Sequence, residues 1–318
     1  MAKTRQIRKR IISVRNINKI TRTMERVAQS KGMKLTGRYD GAASFQRNLA
    51  RLLPEALGVP LGSPAALQEL AVSALGAHRA EVKRVLLFCI TSSRGLCGGY
   101  NARVIQAVRA RAKELEGEGK EALLAVMGRK GLAFFRFHGQ AVLIAVPDAD
   151  ENIPYARVDE LVQDIIRGFI AREFDEVQIV STRMRTRVQQ DVTRAPLLPF
   201  SAEEAARVRA PAAGAAAAAA PATGPTPGPD GEPLYIIEPD RPTVLSRLFP
   251  LLVKGQLFCA ILEAMMCEQA QRSIAMRSAS DNAESMTKRL TRTYNRARQA
   301  QITNEMIEII SGSEGGRT

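Results

Sequence analysis

The chain ends in a stretch that favours helix, YNRARQAQITNEMIEIISG at Tyr294–Gly312. A helix that packs on an ordinary core shows a broad apolar stripe at positions i, i+3, i+4 and i+7. Here Ile302, Met306 and Ile309 form only a narrow seam. We therefore expect this helix to pack against another helix or against another chain.

Both ends of the chain carry long segments that favour helix. Residues 256–310 contain neither glycine nor proline, and residues 1–53 contain no proline. Apolar side chains recur in the N-terminal segment at steps of three or four, namely at Ile7, Ile11, Val14, Ile17, Ile20, Met24 and Val27. At about 1.5 Å per residue, each segment predicts a helix of about 75 to 80 Å. Two such helices would bury their seams by pairing as a long antiparallel coiled coil.

Between the terminal helices the sequence alternates between strand and helix patterns. A continuous apolar run, RVLLFCIT at Arg84–Thr91, precedes a glycine-rich turn and an amphipathic helix at Ala102–Leu115. The later apolar runs ALLAVMG, QAVLIAV and EVQIVST are separated by a short helix near Leu132–Phe137 and a longer one at Val158–Phe174. This alternation predicts an α/β fold with a mostly parallel sheet, in a central Rossmann-like domain.

Composition indicates where the domains begin and end. We predict an N-terminal coiled-coil helix at residues 1–58, a central α/β domain at 80–200 and a C-terminal coiled-coil helix at 245–318. Residues 201–233 consist largely of Ala, Pro and Gly. Such a composition cannot build an apolar core and predicts a flexible insertion.

The positive charge of the chain is concentrated at its N-terminus. The formal net charge is +14 at pH 7, and residues 1–38 contain twelve Lys or Arg against one acidic residue, Glu25. A basic nucleic-acid-binding helical protein is therefore an alternative function. The charges occur on all faces of the helix, and no aromatic residue interleaves them before Tyr39. This arrangement favours an acidic partner or solvent around the helix.

The sequence offers weak signals for catalysis or for metal binding. Its four cysteines form no CxxC pair, and its two histidines are His78 and His138, so no metal site is expected. The turn SSRGLCGGYN at Ser92–Asn101 follows a strand, as phosphate-binding turns do, but fits neither GxGxxG nor GxxxxGK[ST]. A nucleotide-dependent enzyme using Gly95–Gly99 is a further alternative. Our expectation is that the chain has no catalytic residue and no cofactor.

Cysteine usage and the lack of an apolar leader favour a reduced, cytoplasmic chain. The basic N-terminus is not followed by the apolar run of a signal peptide. The longest apolar runs, such as Val85–Ile90 and Leu248–Val253, are far shorter than a bilayer span. We expect no membrane-crossing segment.

Four motifs together resemble a known family. They are IRKRIISVRNINKITRTMERVAQSKGMK at Ile7–Lys34, SSRGLCGGYN after the first strand, EQAQRSIAMRSASDNAESM at Glu268–Met286, and the C-terminal stretch quoted above. In order and spacing they closely resemble the gamma subunit of bacterial F-type ATP synthases over nearly the whole chain. Ser313 and Gly315 depart from the end of the family's C-terminal signature. The insertion lacks the cysteine pair by which photosynthetic relatives are redox-controlled.

The resemblance implies a rotor rather than a free-standing enzyme. In this family the terminal helices form the shaft that turns inside a ring of three alpha and three beta subunits. The α/β domain is a foot that meets the epsilon subunit and the membrane c-ring. The chain would then be a non-catalytic, peripheral subunit on the cytoplasmic face of the inner membrane, with no nucleic acid among its partners.

The resemblance also implies which residues meet the partners. Met24 matches the position that faces the acidic lever loop of the beta subunit. Shaft positions implicated in contact with the ring and in coupling are matched by Arg272, Gln299, Thr303 and Glu305. Glu238 matches the segment near the c-ring.

Overall fold

The computed structural model describes residues 2–58, 75–76, 79, 81–148, 152–186, 189–201 and 237–315. The predicted insertion at 201–233 lies outside the described residues, apart from Ser201. The chain divides into two compact units. The first, here called the coil unit, comprises residues 1–30 and 272–318, and the second, the sheet unit, comprises residues 31–271.

Five helices and five strands make up the described part of the chain. The helices are α1 (Ala2–Leu57), α2 (Tyr100–Gly117), α3 (Arg129–Phe137), α4 (Tyr155–Ile170) and α5 (Arg241–Gly315). The strands are β1 (Arg84–Ile90), β2 (Glu121–Met127), β3 (Ile144–Val146), β4 (Glu176–Met184) and β5 (Gln190–Leu198). The prediction of long terminal helices with a central α/β domain is confirmed.

The last helix extends at both ends beyond residues 256–310, the segment without glycine or proline. It starts at Arg241 because Asp240 caps it, with Asp240 Oδ1 accepting a hydrogen bond of 2.8 Å from the Thr243 backbone N–H. Pro242 is tolerated there because the first turn of a helix needs no internal hydrogen bond from its N–H groups. The helix also continues through Gly312 to Gly315. A single glycine near a helix end therefore did not stop it.

The sheet has the order β3-β2-β1-β4-β5. Strands β3, β2, β1 and β4 are mutually parallel, with Val85 of β1 opposite Ala122 of β2 and Glu176 of β4. Strand β5 runs antiparallel to β4 at the edge. The order is that of a doubly wound fold with an antiparallel edge strand, which agrees with the predicted Rossmann-like domain.

Side chains alternate between the two faces of the sheet and build a core on each. On one face the strands pack with α2 and α3, through buried residues that include Val85, Leu87, Val126, Val104, Val108 and Phe135. On the other face they pack with α4 and with the parts of α1 and α5 that belong to the sheet unit. Buried residues there include Leu86, Phe88, Ile165, Leu53, Leu252 and Ile261. Helices therefore cover both faces, as a parallel sheet requires.

Within the sheet unit the terminal helices are ordinary core helices. Leu35 and Leu53 of α1 and Leu257 of α5 are fully buried in the same cluster as the strands. The expectation that these helices pack through a narrow seam along their whole length is therefore wrong for their inner parts. The physical reason is that the apolar face of the sheet must be covered, and these segments supply the broad apolar stripe that covers it.

One described helix, α5, passes a test of length and apolar composition for crossing a membrane. In its most apolar window, 61% of the residues are buried inside the protein. A core helix of a soluble protein passes the same test, and the packing of α5 on the sheet accounts for its apolar composition.

Candidate functional site: the paired terminal helices

The coil unit consists of the outer parts of α1 and α5, which run antiparallel. Thr4 Oγ1 hydrogen-bonds Gln301 Oε1 at 3.0 Å, and Arg22 forms an ion pair of 3.2 Å with Glu284. Position along α1 therefore rises while position along α5 falls. This confirms the antiparallel pairing that the sequence predicted.

The seam of the coil unit combines a few large apolar side chains with small and polar ones. On α1 the buried positions are Ile11, Thr21 and Ala28, and on α5 they are Arg272, Met276, Ser280 and Ala283. Half-buried Ile7, Val14 and Asn18 continue the α1 series, with steps of three and four residues. These steps are the heptad spacing of a coiled coil. Small side chains let two helices approach closely, but they bury little apolar area.

Several of the predicted seam residues face away from the seam. Ile17 and Ile20 of α1 are 52% and 58% exposed, and Val27 is exposed as well. Ile302 and Met306 of α5 are also exposed, and the side chain of Ile309 lies outside the described residues. The prediction that Ile17, Ile20 and Val27 lie in the seam is therefore wrong. Neighbouring Asn18, Thr21 and Ala28 take those places, because a coiled coil follows a period of 3.5 residues whatever the size of the side chains. The exposure of Ile302 and Met306 agrees with the other expectation for the C-terminal stretch, that it packs against another chain.

A polar contact lies at the centre of the seam. Asn18 Nδ2 donates to the Ser280 carbonyl oxygen at 2.7 Å and lies 3.2 Å from Ser280 Oγ. Thr21 Oγ1 donates to carbonyl oxygens of its own helix, which lie at 3.1 Å (Ile17) and 3.0 Å (Asn18). Buried polar groups with partners specify an arrangement without adding much apolar burial.

The site residues implied by the resemblance fall into two groups. Met24 is half-buried, and Arg272 is only 8% exposed in this chain. Gln299, Thr303 and Glu305 are exposed near the end of α5.

The three exposed residues on α5 are tied to their own helix. Thr303 Oγ1 donates to the Gln299 carbonyl oxygen at 3.0 Å, and Glu305 accepts a hydrogen bond of 2.7 Å from Gln301 Nε2. Glu238, which is exposed, precedes α5 in the sheet unit. The structure therefore places Gln299, Thr303 and Glu305 within two turns of one helix.

Exposed apolar residues are the feature that sequence reasoning missed. Ile12, Ile17, Ile20 and Val27 lie on the surface of α1 in the coil unit, among exposed basic residues. Isolated exposed apolar residues are common, but four on one helix provide a surface that a partner could contact. A strict 3.5-residue count from Ile7 and Ile11 would have shown that these residues lie off the seam.

The glycine-rich turn after β1 is held together by its own side chains. Asn101 Oδ1 accepts a hydrogen bond of 2.9 Å from the Ser92 backbone N–H, and Asn101 Nδ2 lies 2.8 Å from Ser92 Oγ and 3.3 Å from Cys97 Sγ. Leu96 and Gly98 adopt positive φ. Cys97 is buried in the core that the sheet forms with α2. The short polar side chains thus close the turn on itself.

Comparison with known proteins assigns the chain to a class. Residues 3–315 match the family model described as ATP synthase. Proteins called "ATP synthase gamma chain" from Geobacter metallireducens and Acidiphilium cryptum are 33% and 35% identical to it, over 99% of both chains in each pair. The chain therefore belongs to the ATP synthase gamma-chain family, whose members are part of a membrane-bound complex.

Solved structures show the same fold at low sequence identity. A rotor chain of Euglena gracilis mitochondrial ATP synthase in rotational state 1 has a TM-score of 0.57 and 16% identity, covering 95% of this chain and 99% of that chain. A chain of the OSCP/F1/c-ring assembly from the same organism, in rotational state 3, has a TM-score of 0.62 and 17% identity. It covers 99% of this chain and 94% of that one. These comparisons lend no support to the nucleic-acid alternative.

Proposed function

We propose that this chain is the central rotor stalk of the F1 sector of a proton-translocating ATP synthase. It transmits torque between the membrane c-ring and the catalytic ring of three alpha and three beta subunits. The observation that carries this proposal is the coil unit, whose seam mixes apolar, small and polar side chains while further apolar and basic side chains remain on its outer surface. Membership of the gamma-chain family supports it.

The coil unit has the physical properties that a turning shaft needs. Two paired helices resist bending better than one, and the seam contacts hold them in one register. The exposed apolar residues on α1 are scattered among charged ones. Each contact with a surrounding ring is then small, so no orientation is favoured strongly enough to stop rotation.

The chain needs no chemistry of its own for this role. Rotation forces the nucleotide sites of the beta subunits in turn through states of different affinity. The shaft redistributes binding energy among those sites, because each orientation of an asymmetric shaft stabilises one conformation of each neighbour. We therefore assign no catalytic residue and no cofactor to this chain.

Met24 is proposed to face the acidic lever loop of the beta subunit. It is half-buried and lies near the exposed cations Arg22 and Arg26. Arg22 is held by Glu284, while Glu284 is also paired with Lys288. The cationic surroundings would attract an acidic loop with an energy that decreases as salt increases.

The contact surface for the ring is proposed to include Gln299, Thr303 and Glu305. All three are exposed on α5, so their side chains can reach a partner. Arg272 is proposed to act differently, because it is buried within this chain. Its role would be to maintain the shape of the shaft.

The sheet unit is proposed to be the foot of the stalk. Glu238, which precedes α5, would lie near the c-ring, and the epsilon subunit would join the same foot. The domain limits proposed from the sequence are 1–58, 80–200, 201–233 and 245–318. The chain would lie at the cytoplasmic face of the inner membrane, attached only through the complex.

Co-expression with the alpha and beta subunits of the same organism tests the proposal. We expect a 3:3:1 complex by native mass measurement, with ATP hydrolysis that depends on this chain. Assembly of alpha and beta without this chain, with unchanged hydrolysis, would contradict the rotor function. A filter-binding titration with DNA and RNA tests the alternative, since salt-sensitive affinity tighter than about 1 μM would favour nucleic-acid binding.

Truncation after Gln301 examines the tip of the shaft in the same complex. It removes Thr303 and Glu305 but leaves the hydrogen-bonded pair Thr4 and Gln301. We expect the complex to assemble and its ATP-driven proton pumping to fall. Full pumping by the truncated complex would remove Thr303 and Glu305 from the coupling surface.

A further inference from the structure

A shallow groove lies between α2 and α3, on the outer side of the sheet unit. Its volume is about 970 Å³. Its apolar lining comes from Ala102, Ile105, Ala110 and Ala112 of α2 and from Phe134 of α3. Ile105 is buried and Phe134 is half-buried in the core that these helices share with the sheet. The apolar lining of the groove is therefore continuous with a rigid core.

Cations predominate among the charged residues along the groove. Arg109 and Lys113 of α2 and Lys130 of α3 line it, and Glu116 is its single acidic lining residue. All three cationic side chains are exposed. Arg109 and Lys113 are four residues apart and so lie on the same face of α2. None of the three cations has an ion-pair partner among the described residues.

The other acidic residues of this region are engaged outside the groove. Glu114 is bound by Arg111 and by Arg194 of β5, and Glu118 is bound by Arg111 and Lys120. These contacts lower the pKa of both carboxyl groups, through the side-chain hydrogen bond from Arg194 for Glu114 and from Lys120 for Glu118. Both carboxylates therefore stay charged but face other cations, which leaves the groove with an excess of positive charge.

We propose that this groove is a docking surface for an acidic, amphipathic segment of another subunit in the assembled enzyme. The apolar residues of such a segment would cover the exposed Ala102 and Ala110 and the half-buried Phe134, while its carboxylates would meet the three cations Arg109, Lys113 and Lys130. This is the helix-in-groove mode of recognition, with charge complementarity added. The proposal deepens the proposed function, because it identifies a surface by which the foot of the rotor binds a partner.

The shape of the groove favours a protein segment over a small ligand. It is open along the length of α2 rather than enclosed, so a small molecule would leave much of its surface in water. A lipid headgroup would meet the cations but would leave the apolar lining between the helices unused. An amphipathic segment satisfies both features at once.

Site-specific photo-crosslinking in the intact complex tests this proposal. A benzophenone amino acid at Gln106, an exposed position that lines the groove, is introduced into the chain in its native host. The ATP synthase is then purified and irradiated, and the adducts are sequenced by mass spectrometry. We expect one main adduct, on a segment of another subunit that carries a net negative charge.

Charge reversal tests whether the cations of the groove are needed for the partner segment to bind there. The double variant Arg109→Glu and Lys113→Glu should lower the adduct yield by about tenfold. Arg109→Lys should preserve most of the yield, because it keeps the charge. The matched control is Arg157→Glu with Arg167→Glu on α4, two exposed cations already paired with Glu160 and Asp164. The control should leave the yield unchanged.

The outcomes separate this inference from the proposed function. Suppose that the chain co-purifies with alpha and beta but gives no adduct at Gln106, or an adduct with lipid or with a neutral or basic protein segment. The proposed docking surface is then wrong, while the proposed rotor function still holds. An adduct whose yield is unaffected by charge reversal also overturns the proposal. If the chain does not co-purify with alpha and beta, the proposed function itself fails.

Discussion

Asn18 of α1 and Ser280 of α5 are joined across the seam of the coil unit, with Asn18 Nδ2 2.7 Å from the Ser280 carbonyl oxygen. Ser280 is buried, and large apolar neighbours of Asn18 such as Ile17 are exposed. A polar contact therefore occupies a place that apolar packing fills in most coiled coils. This contact specifies one register of the two helices, although it contributes less to stability than apolar packing would.

Replacing Asn18 with alanine should weaken this part of the coil unit. The variant loses a hydrogen bond worth about 1 kcal/mol and leaves Ser280 to find its partners within its own helix. We expect backbone amides near Asn18 to exchange with solvent several-fold faster, as measured by hydrogen exchange with mass spectrometry on the full chain. Arg22→Ala, which removes an exposed ion pair, is the control and should change exchange little. Equal exchange in both variants would show that the Asn18 contact adds nothing.

Two glycines in the terminal helices should respond oppositely to alanine. A Cβ at Gly255 would lie 1.7 Å from Gln46 Oε1, whereas a Cβ at Gly41 would meet nothing within 4 Å. Gln46 also donates a buried hydrogen bond of 2.8 Å to the Leu252 carbonyl oxygen, so it cannot move freely. Gly255→Ala should lower the free energy of unfolding by about 1 to 3 kcal/mol through overpacking. Gly41→Ala should raise it by about 0.5 to 1 kcal/mol, because alanine favours helix.

Urea denaturation of the two glycine variants, monitored by circular dichroism, measures these changes. Both variants replace a glycine inside a long terminal helix with alanine, so each is the control for the other. A gain in stability for Gly255→Ala would mean that Gln46 shifts readily, and the close approach of Gln46 to α5 would then have no energetic consequence.

Asp175 should make the stability of the sheet unit depend on acid pH. It accepts hydrogen bonds of 2.9 Å from the backbone N–H groups of Lys83 and Arg84 and pairs with Arg79. Burial alone would raise its pKa, but the hydrogen bonds from Arg84, Arg79 and Lys83 together lower the pKa below its usual value. The folded state therefore binds this proton more weakly than the unfolded state. The resulting stability is present above the unfolded pKa, about 3.9, and is lost as pH falls through the folded pKa.

The matched variants for this prediction are Asp175→Asn and Asp164→Asn. We expect Asp175→Asn to be less stable at pH 7 and to lose less stability between pH 4.5 and pH 2.5 than the wild type, by urea denaturation at each pH. Asp164→Asn, which removes an exposed carboxyl group paired within α4, is the control for removing a carboxylate from the surface. A wild-type slope in the Asp175 variant would exclude Asp175 as the cause.

Cys89 and Cys259 should be nearly inert to alkylation. Burial raises the pKa of Cys89 to about 12, and burial followed by the nearby charge of Glu263 raises the pKa of Cys259 to about 12. The reactive thiolate is therefore scarce at pH 8, even though Cys259 is partly exposed. We expect iodoacetamide to modify Cys259 at least 100-fold more slowly than a cysteine placed at exposed Ser285 by Ser285→Cys, measured by mass spectrometry. Comparable rates would show that Cys259 is less buried in solution.

Met24→Lys should alter coupling if the proposed rotor function is right. The new cation would join Arg22 and Arg26 and would strengthen attraction to an acidic loop of the beta subunit. We expect fewer protons pumped per ATP hydrolysed in membrane vesicles, with ATPase activity retained. Thr23→Lys, at the exposed neighbouring position, is the control. Unchanged proton pumping in the Met24 variant would contradict the proposed contact between Met24 and the acidic loop of the beta subunit.

Sequence reasoning was accurate for the central domain because its signals are local. Apolar runs such as Arg84–Ile90 are buried on both faces of the sheet, and the glycine-rich turn separates β1 from α2 as expected. Sequence reasoning was less accurate for helices whose different faces carry similar residues, because composition then does not show which face has a function. The exposed groove cations on α2, for example, could not be told from other surface charges until the ion pairs of Glu114 and Glu118 were known.

The sequence by itself determined that both termini are long helices, that a parallel sheet lies between them, and to which family the motifs belong. Absence of proline, apolar periodicity and turn residues act locally, so they can be read without a structure. Only the tertiary structure decided which face of each terminal helix is buried. Ile17 and Ile20 are more apolar than Asn18 and Thr21, yet the latter lie toward the seam. The reason is geometric, because a 3.5-residue period selects the seam positions whatever the side chains that occupy them.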